Sequence, residues 1–557
     1  MVKSNQVGVV LEEQANEEVP ERSDKWKPQG WAAIAGGAGA VMLFLATYVM
    51  RLDRVAGIFV DDAWYMLLAK ALATGQGYTL INSPSPGILP LYPPAFPWLL
   101  SLVYHLAPQF PQNVWLLKSV SLIAMLGVGI AAYCYFVRDR ELPRYVALGI
   151  AVATVVSPPL LYFATSTVMS ECVFTLSQFL TVMVIERCVR ERKGGRVWLY
   201  ALSAAALASF TFLTRSISVV LIIGAFAYLV KERLSRAALV FVAGVFVLVG
   251  PWLVHVRMHA PTAEQRMEQG SHIVQNYVIQ FWQRDAAEAS LGTASMKDLP
   301  ARVLRNTIRI LRSEVGTIFV APLTQSIKYR NVRVGEGFAF ILSVLAIAGF
   351  LSVARRRVTL AEIVVPLSLM IIVVWPWLPQ RFVLPLSPFL IFYVLMGVHA
   401  VHRLYQRLHQ SLNPRARWVA VGSIIWCVVA INTIGNVLYT LPLQGLPSER
   451  SKRIQDFGEV EAMFMWIRES IPREEVIASF NPALVHLYTG HKTIFPDHPA
   501  GNWGDWERPG VRYLVFTPWH REPAFRRAEG KYHIVYQSRV NQNFRVIDLS
   551  PESPGLP

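Results

Sequence analysis

Long apolar stretches dominate the chain. A helix needs about 20 mostly apolar residues to cross a bilayer, and about eleven such stretches follow one another: 30–50, 114–137, 145–163, 169–186, 197–213, 216–230, 237–256, 337–354, 360–377, 383–402 and 418–440. A further apolar run, from Ala95 to Leu106, follows Pro93 and Pro94 and is short for a span, so it reads as a helix lying in the membrane interface. Three longer polar stretches interrupt the series, at 51–113, at 257–336 and after about 440. In the last of these the pattern changes. An apolar helical face (Val460, Met463, Phe464, Ile467) and strand-like runs at 475–479, 511–517, 532–537 and 544–549 predict a small α/β domain. The expected fold is therefore mainly α: a polytopic membrane domain over 29–440 with outer interfacial helices, and an α/β domain over 441–557. A polar, acidic tail over 1–28 is expected to be disordered and is no cleavable signal.

Charge fixes an expected orientation. The five short connections 138–144, 187–196, 231–236, 355–357 and 403–417 hold eighteen basic residues, whereas the opposite ends are nearly free of them apart from Arg215 and Arg381. This asymmetry puts the N-terminus in the cytoplasm, and 51–113, 257–336 and the C-terminal domain outside. Of 557 residues, 53% are hydrophobic and 16% charged, which excludes a disordered chain, a disulfide scaffold and a small soluble enzyme. A net charge of +16 in a soluble protein would suggest a polyanion partner; here it is mostly the topology signal, and no nucleic acid is expected. The four cysteines, Cys134, Cys172, Cys188 and Cys427, show no metal spacing.

Charged residues on the expected outer side are the chemical candidates. Asp61 and Asp62 open an amphipathic helix running to about Ala73, ended by Gly75 and Gly77. Either can cap that helix, and either can accept a proton from a substrate hydroxyl. Glu171 lies at the mouth of a span, where an unpaired carboxylate is costly. Arg215 and Arg381 oppose the positive-inside trend, and each offers bidentate donors to a lipid phosphate. Arg302, Arg305, Arg309 and Arg312 form the basic face of a helix suited to an anionic membrane surface. His255 and His259, four residues apart, can place two ligands on one helix face, but no third ligand accompanies them.

In order along the chain stand D-D-A-W-Y, Y-P-P-x-x-P-W, S-E-x-x-F, F-L-T-R, P-W-L-V-H-V-R and R-F-V-L-P-L-S-P, followed by the α/β domain. This series resembles the GT-C superfamily of integral-membrane glycosyltransferases, in the bacterial branch related to protein O-mannosyltransferases and the lipid A aminoarabinose transferase. The resemblance covers roughly residues 30–440. It implies a transferase of the bacterial inner membrane that moves a hexose or pentose from a polyprenyl-phosphate donor to a lipid, glycan or protein acceptor. Asp61 matches the proposed general base and Asp62 the second acidic position. Glu171 matches the second acidic site, and Arg215 and Arg381 the positions facing the donor phosphate. Tyr65, Tyr92, His255 and His259 are possible pocket residues. The aminoarabinose transferases carry Lys where this chain has Tyr92, which argues against aminoarabinose and lipid A as substrates. No cofactor is firmly implied; a divalent metal is an option that two arginines beside a monophosphate make dispensable. A secondary transporter is the competing reading, but it calls for midplane charges and repeat symmetry, and the sequence shows neither.

Overall fold

Backbone polar groups inside a bilayer must be satisfied within the chain, so apolar stretches of this length become helices. The computed structural model describes residues 31–192, 194–262, 265, 277–286, 291–324, 332–409, 414–442, 447–496, 510–517 and 533–550. The 1–28 tail therefore lies outside the described residues. Contacts divide the chain into residues 1–45 and 46–557, with the boundary inside the first helix. The main helices are α1 (Trp31–Arg51), α2 (Asp61–Ala73), α3 (Ala95–Leu106), α4 (Val114–Arg138), α5 (Arg144–Val155), α6 (Pro158–Thr165), α7 (Glu171–Arg190), α8 (Val197–Thr214), α9 (Val219–Lys231) and α10 (Ser235–Met258). They continue with α11 (Leu299–Arg309), α12 (Val332–Ala354), α13 (Leu360–Val374), α14 (Gln380–Leu408), α15 (Pro414–Thr440), α16 (Glu449–Ser470) and α17 (Pro482–Thr489).

Among the described residues, eight helices are long and apolar enough to cross a membrane. The bent pair α5 and α6, which meet at 50°, makes a ninth when counted as one span. The bend follows from Ser157-Pro158-Pro159, because proline can start a helix but cannot continue one. Two expected spans come out short: α9 and α13 have 13 and 15 residues, roughly 20 Å each at 1.5 Å per residue. Helices α7 and α14 are mostly buried, while α10 and α12 expose apolar side chains such as Phe246 and Ile341, as lipid-facing helices do. Where α12 crosses α14, Gly349 and Gly397 let the backbones touch: a Cβ at Gly349 would lie 1.8 Å from the Tyr393 carbonyl oxygen. The interfacial helix α3 shows one apolar face outward, with Trp98, Leu102 and Leu106 exposed.

Two sequence expectations need correction. Helix α2 ends where Gly75 and Gly77 turn the chain (φ +74° and +78°), but it is not a solvated amphipathic helix. Residues Asp62 to Ala69 are all buried, because the segments before and after it close over both faces. Helix α11 is likewise no simple membrane anchor. Its Arg302 is buried and donates to the carbonyls of Phe281 (2.8 Å), Gln283 (2.5 Å) and Val374 (3.3 Å), tying three segments together.

The C-terminal segment forms a five-stranded sheet in the order β2-β1-β3-β5-β4. Its strands are β1 (Val476–Ser479), β2 (Thr493–Ile494), β3 (Val511–Phe516), β4 (His533–Gln537) and β5 (Arg545–Asp548). The pairs β1–β2 and β1–β3 are parallel, and β3–β5 and β5–β4 are antiparallel. Four strands fall where the alternation places them. The pattern gives neither β2 nor α17; Asn481 caps α17 through Leu484 N–H, and Gly490 ends it in the left-handed conformation.

This C-terminal layer is fastened to the connection that follows α1 and to the end of α6. Arg450 donates to the Leu52 carbonyl (2.6 Å), Arg453 to that of Ser166 (2.5 Å) and Asn481 to that of Gly57 (2.5 Å). Thr493 N–H donates to Asn82 (2.8 Å). Beneath it, Lys118 reaches out of α4 to Asp53 Oδ1 (2.8 Å) and to the carbonyls of Asp53 and Thr165, with both side chains fully buried. Removing one partner of a buried ion pair strands the other charge. Lys118→Met should therefore lower stability by about 3 kcal/mol, read as thermal unfolding in detergent. Adding Asp53→Asn should recover part of the loss.

Candidate active site

Four charged residues, remote in sequence, meet where α2, α7, α8 and α14 converge. Asp61 opens α2 and Glu171 opens α7; Arg215 follows α8 and Arg381 lies in the first turn of α14. Both carboxylates thus sit at helix N-termini, where the exposed N–H groups favour negative charge. Arg381 bridges them, with Nη1 2.7 Å from Asp61 Oδ2 and Nε 2.9 Å from Glu171 Oε1. Arg215 Nη1 lies 2.7 Å from the same Glu171 oxygen. Glu171 is completely buried, and its Oε2 has no hydrogen-bond partner among the described residues. Asp61 and Arg381 are the open side of the group, with side chains 30% and 25% exposed.

Aromatic rings and hydroxyls complete the frame. Tyr92 donates its hydroxyl to Asp61 Oδ1 at 2.6 Å, and burial beside that carboxylate pushes the phenol well above its ordinary pKa. Tyr65 packs edge-on against Tyr92 and pairs with the Ser170 hydroxyl at 3.1 Å, which also faces Arg215 at 3.4 Å. The Phe382 ring lies under the Arg215 guanidinium and the Phe59 ring under that of Arg381. Ser170, Phe59 and Phe382 are residues that sequence reasoning missed. Each lies within two residues of a charged candidate in sequence, but neutral side chains carry no signal of their own.

The neighbouring aspartates have separate tasks. Asp62 is fully buried, and its carboxylate accepts from the backbone N–H groups of Gly57 (2.7 Å), Phe59 (3.1 Å) and Ala63 (3.1 Å). It folds the turn that delivers Asp61, and it is not a side-chain cap at the start of α2. That turn is tight: Gly57 has φ +86° and Val60 φ +62°, the latter strained for a β-branched residue.

His255 and His259 are placed apart. Tyr78, which donates to the Tyr92 carbonyl, packs edge-on against Trp252; Trp252 stacks on His255, whose ring lies 4.3 Å from that of His259. Neither imidazole joins the four charged residues. Among the described residues no group of three or more His, Cys, Asp or Glu stands in metal-binding array.

No protein-family model matches the chain, and no curated protein matches it in sequence. Solved structures do match its fold. ArnT from Cupriavidus metallidurans, bound to undecaprenyl phosphate, aligns with a TM-score of 0.55 at 13% identity, over 94% of this chain and 98% of that one. The oligosaccharyltransferase AglB from Archaeoglobus fulgidus, in complex with an inhibitory peptide and a dolichol-phosphate, aligns with a TM-score of 0.53 at 13% identity, over 87% and 70%. Both are membrane glycosyltransferases of the GT-C superfamily, and the fold of this chain is the GT-C fold.

The division between the aspartates is testable. Asp62→Asn puts an amide against three N–H donors and should cost about 1–3 kcal/mol of stability, whereas Asp61→Asn should unfold close to wild type. Burial pushes the Asp62 carboxyl up from 3.8 to about 6, against the pull of the Gly57 N–H. In that interval the folded protein holds a proton that the unfolded chain releases. The contribution is therefore complete below pH 3.8 and is lost as pH rises through about 6. Melting curves across this range should show the loss in wild type and not in Asp62→Asn.

Proposed function

We propose that the protein is a polyprenyl-phosphate-sugar-dependent glycosyltransferase of the bacterial inner membrane, working on the extracytoplasmic face. The observation that carries this reading is the Asp61–Arg381–Glu171–Arg215 group, with Asp61 and Arg381 on its open side, at one end of a helical bundle with the GT-C fold. The ligands of the two similar structures, undecaprenyl phosphate and dolichol-phosphate, are the lipid chemistry that a pair of arginines at a membrane surface would take.

In this reading the donor lies with its isoprenoid chain in the bilayer and its phosphate against Arg215 and Arg381. Asp61 accepts the proton of the acceptor hydroxyl as that oxygen bonds to the anomeric carbon. The bond from the anomeric carbon to the phosphate oxygen breaks, and the electron pair leaves with the lipid phosphate, whose growing charge the guanidinium groups stabilise. One displacement inverts the anomeric centre. Glu171 keeps both arginines oriented. Asp62 acts through the backbone, and Tyr92 fixes the second oxygen of Asp61. The interfacial helix α3, with Trp98, Leu102 and Leu106 outward, suits the level at which a lipid headgroup would lie. The C-terminal layer is bonded to Leu52, Ser166 and Gly57, on segments that lead to Asp61 and Glu171, and in this reading it helps select the acceptor.

Purified protein given a panel of polyprenyl-phosphate sugars carrying a radiolabel should transfer label to the acceptor fraction. Asp61→Asn should lose at least about 100-fold in rate while still binding the donor. Full activity in Asp61→Asn would overturn the assignment of the base. Orientation has its own test. A single cysteine at the exposed position of Gln76 should react with an impermeant thiol reagent added outside intact cells. Reaction only after permeabilisation would reverse the topology.

A further inference from the structure

The charged group is self-neutralising: two carboxylates consume both guanidinium groups that the glycosyltransferase reading assigns to the phosphate. Resting on that reading, we propose that Arg381 is exchanged between Asp61 and the donor phosphate, so that the base is released only when the donor is in place.

The two contacts of Arg381 are unequal. Its Nε holds Glu171 Oε1 at 2.9 Å, on the buried side, where Arg215 Nη1 reinforces the same oxygen at 2.7 Å. Its Nη1 holds Asp61 Oδ2 at 2.7 Å, on the open side. The fork of the guanidinium therefore has a fixed edge and an exchangeable edge. Glu171 acts as the hinge: it is fully buried and held in place by Arg215 as well, so the Nε contact lies on the side away from solvent. A phosphate approaching from the open side meets the Asp61–Arg381 contact first.

Before that exchange Asp61 is fully engaged. Arg381 occupies Oδ2, and the Tyr92 hydroxyl occupies Oδ1 at 2.6 Å. A phosphate that takes over Nη1 frees Oδ2 for the acceptor proton, while Tyr92 keeps the carboxylate from swinging away. Tyr92 is thus a positioning residue, acting through Asp61. The consequence is an ordered reaction, with donor first and acceptor second. The released polyprenyl phosphate, carrying more charge than the donor diester, keeps Arg381 away from Asp61 until it departs.

Because Asp61 and the phosphate compete for one cation, binding free energies must be coupled, and the coupling shows without any turnover. The probe is a sugar-free polyprenyl methyl phosphodiester, whose single charge does not titrate, bound to full-length protein in nanodiscs. Asp61→Asn and Asp61→Ala should both bind it about tenfold more tightly than wild type, with melting temperatures confirming that both are folded. Tyr92→Phe should weaken binding in the wild-type background and change nothing in Asp61→Asn. A purely structural role for Tyr92 would weaken both alike and overturn its positioning role. Wild-type affinity, or weaker, in both Asp61 variants overturns the exchange, while loss of binding in Arg381→Ala would leave the donor assignment standing. Failure of wild type to bind the diester at all overturns the exchange together with the donor reading beneath it.

Discussion

A carboxylate with no access to water must have its charge met, and Glu171 is such a group. It sits at the N-terminus of the most enclosed part of α7, and it is met by Arg215 from the end of α8 and Arg381 from the start of α14. That requirement draws three helix ends together at one level of the bundle. It also orients Arg381 so that the remaining edge of its guanidinium faces Asp61. The packing of α12 on α14 through Gly349 and Gly397 then holds α14 at the depth this contact needs.

Asp61 reaches its place by a different route. The segment 52–62 buries Val55 and Ala56 and packs Phe59 on Tyr162 and Phe163, and polar contacts fix its two ends. Lys118 and Asp53 anchor its beginning, and Asp62 folds its end around the N–H groups of Gly57, Phe59 and Ala63. The C-terminal layer clamps the outside through Arg450 and Asn481. Apolar side chains at 450 and 481 would leave the carbonyls of Leu52 and Gly57 without these donors, and buried polar groups left unpaired are expensive. Strain at Val60 is tolerable because so many bonds fix its neighbours.

Much of this was legible in the sequence, and the remainder was hidden for identifiable reasons. Hydropathy locates most spans because bilayer thickness sets a length scale; it overstates α9 and α13, whose apolar runs include the turns at their ends. The charged candidates stood out because Glu171, Arg215 and Arg381 contravene solvation or topology, and the structure does bring these three together with Asp61. His255 and His259 looked equally suggestive by spacing, yet their rings pack with Trp252 and with each other and do not join the four charged residues, since helical periodicity specifies a shared face without saying what the face meets. Lys118 was masked by the apolar residues around it, and its partner Asp53 by the loop it begins. The roles of Asp61 and Asp62 could not be divided by sequence at all. The division depends on a backbone turn that folds back on itself, and no side-chain pattern encodes that turn.

What unites the GT-C fold of this chain with its charged group is the proposed placement of a lipid phosphate against Arg215 and Arg381. The most direct measurement is a structure of the full-length protein in nanodiscs with a polyprenyl-phosphate sugar analogue bound. The account predicts phosphate oxygens within hydrogen-bonding distance of both guanidinium groups, Arg381 still on Glu171, and its contact with Asp61 opened. A headgroup seated elsewhere, with Arg381 still paired to Asp61 and Arg215 to Glu171, would contradict it.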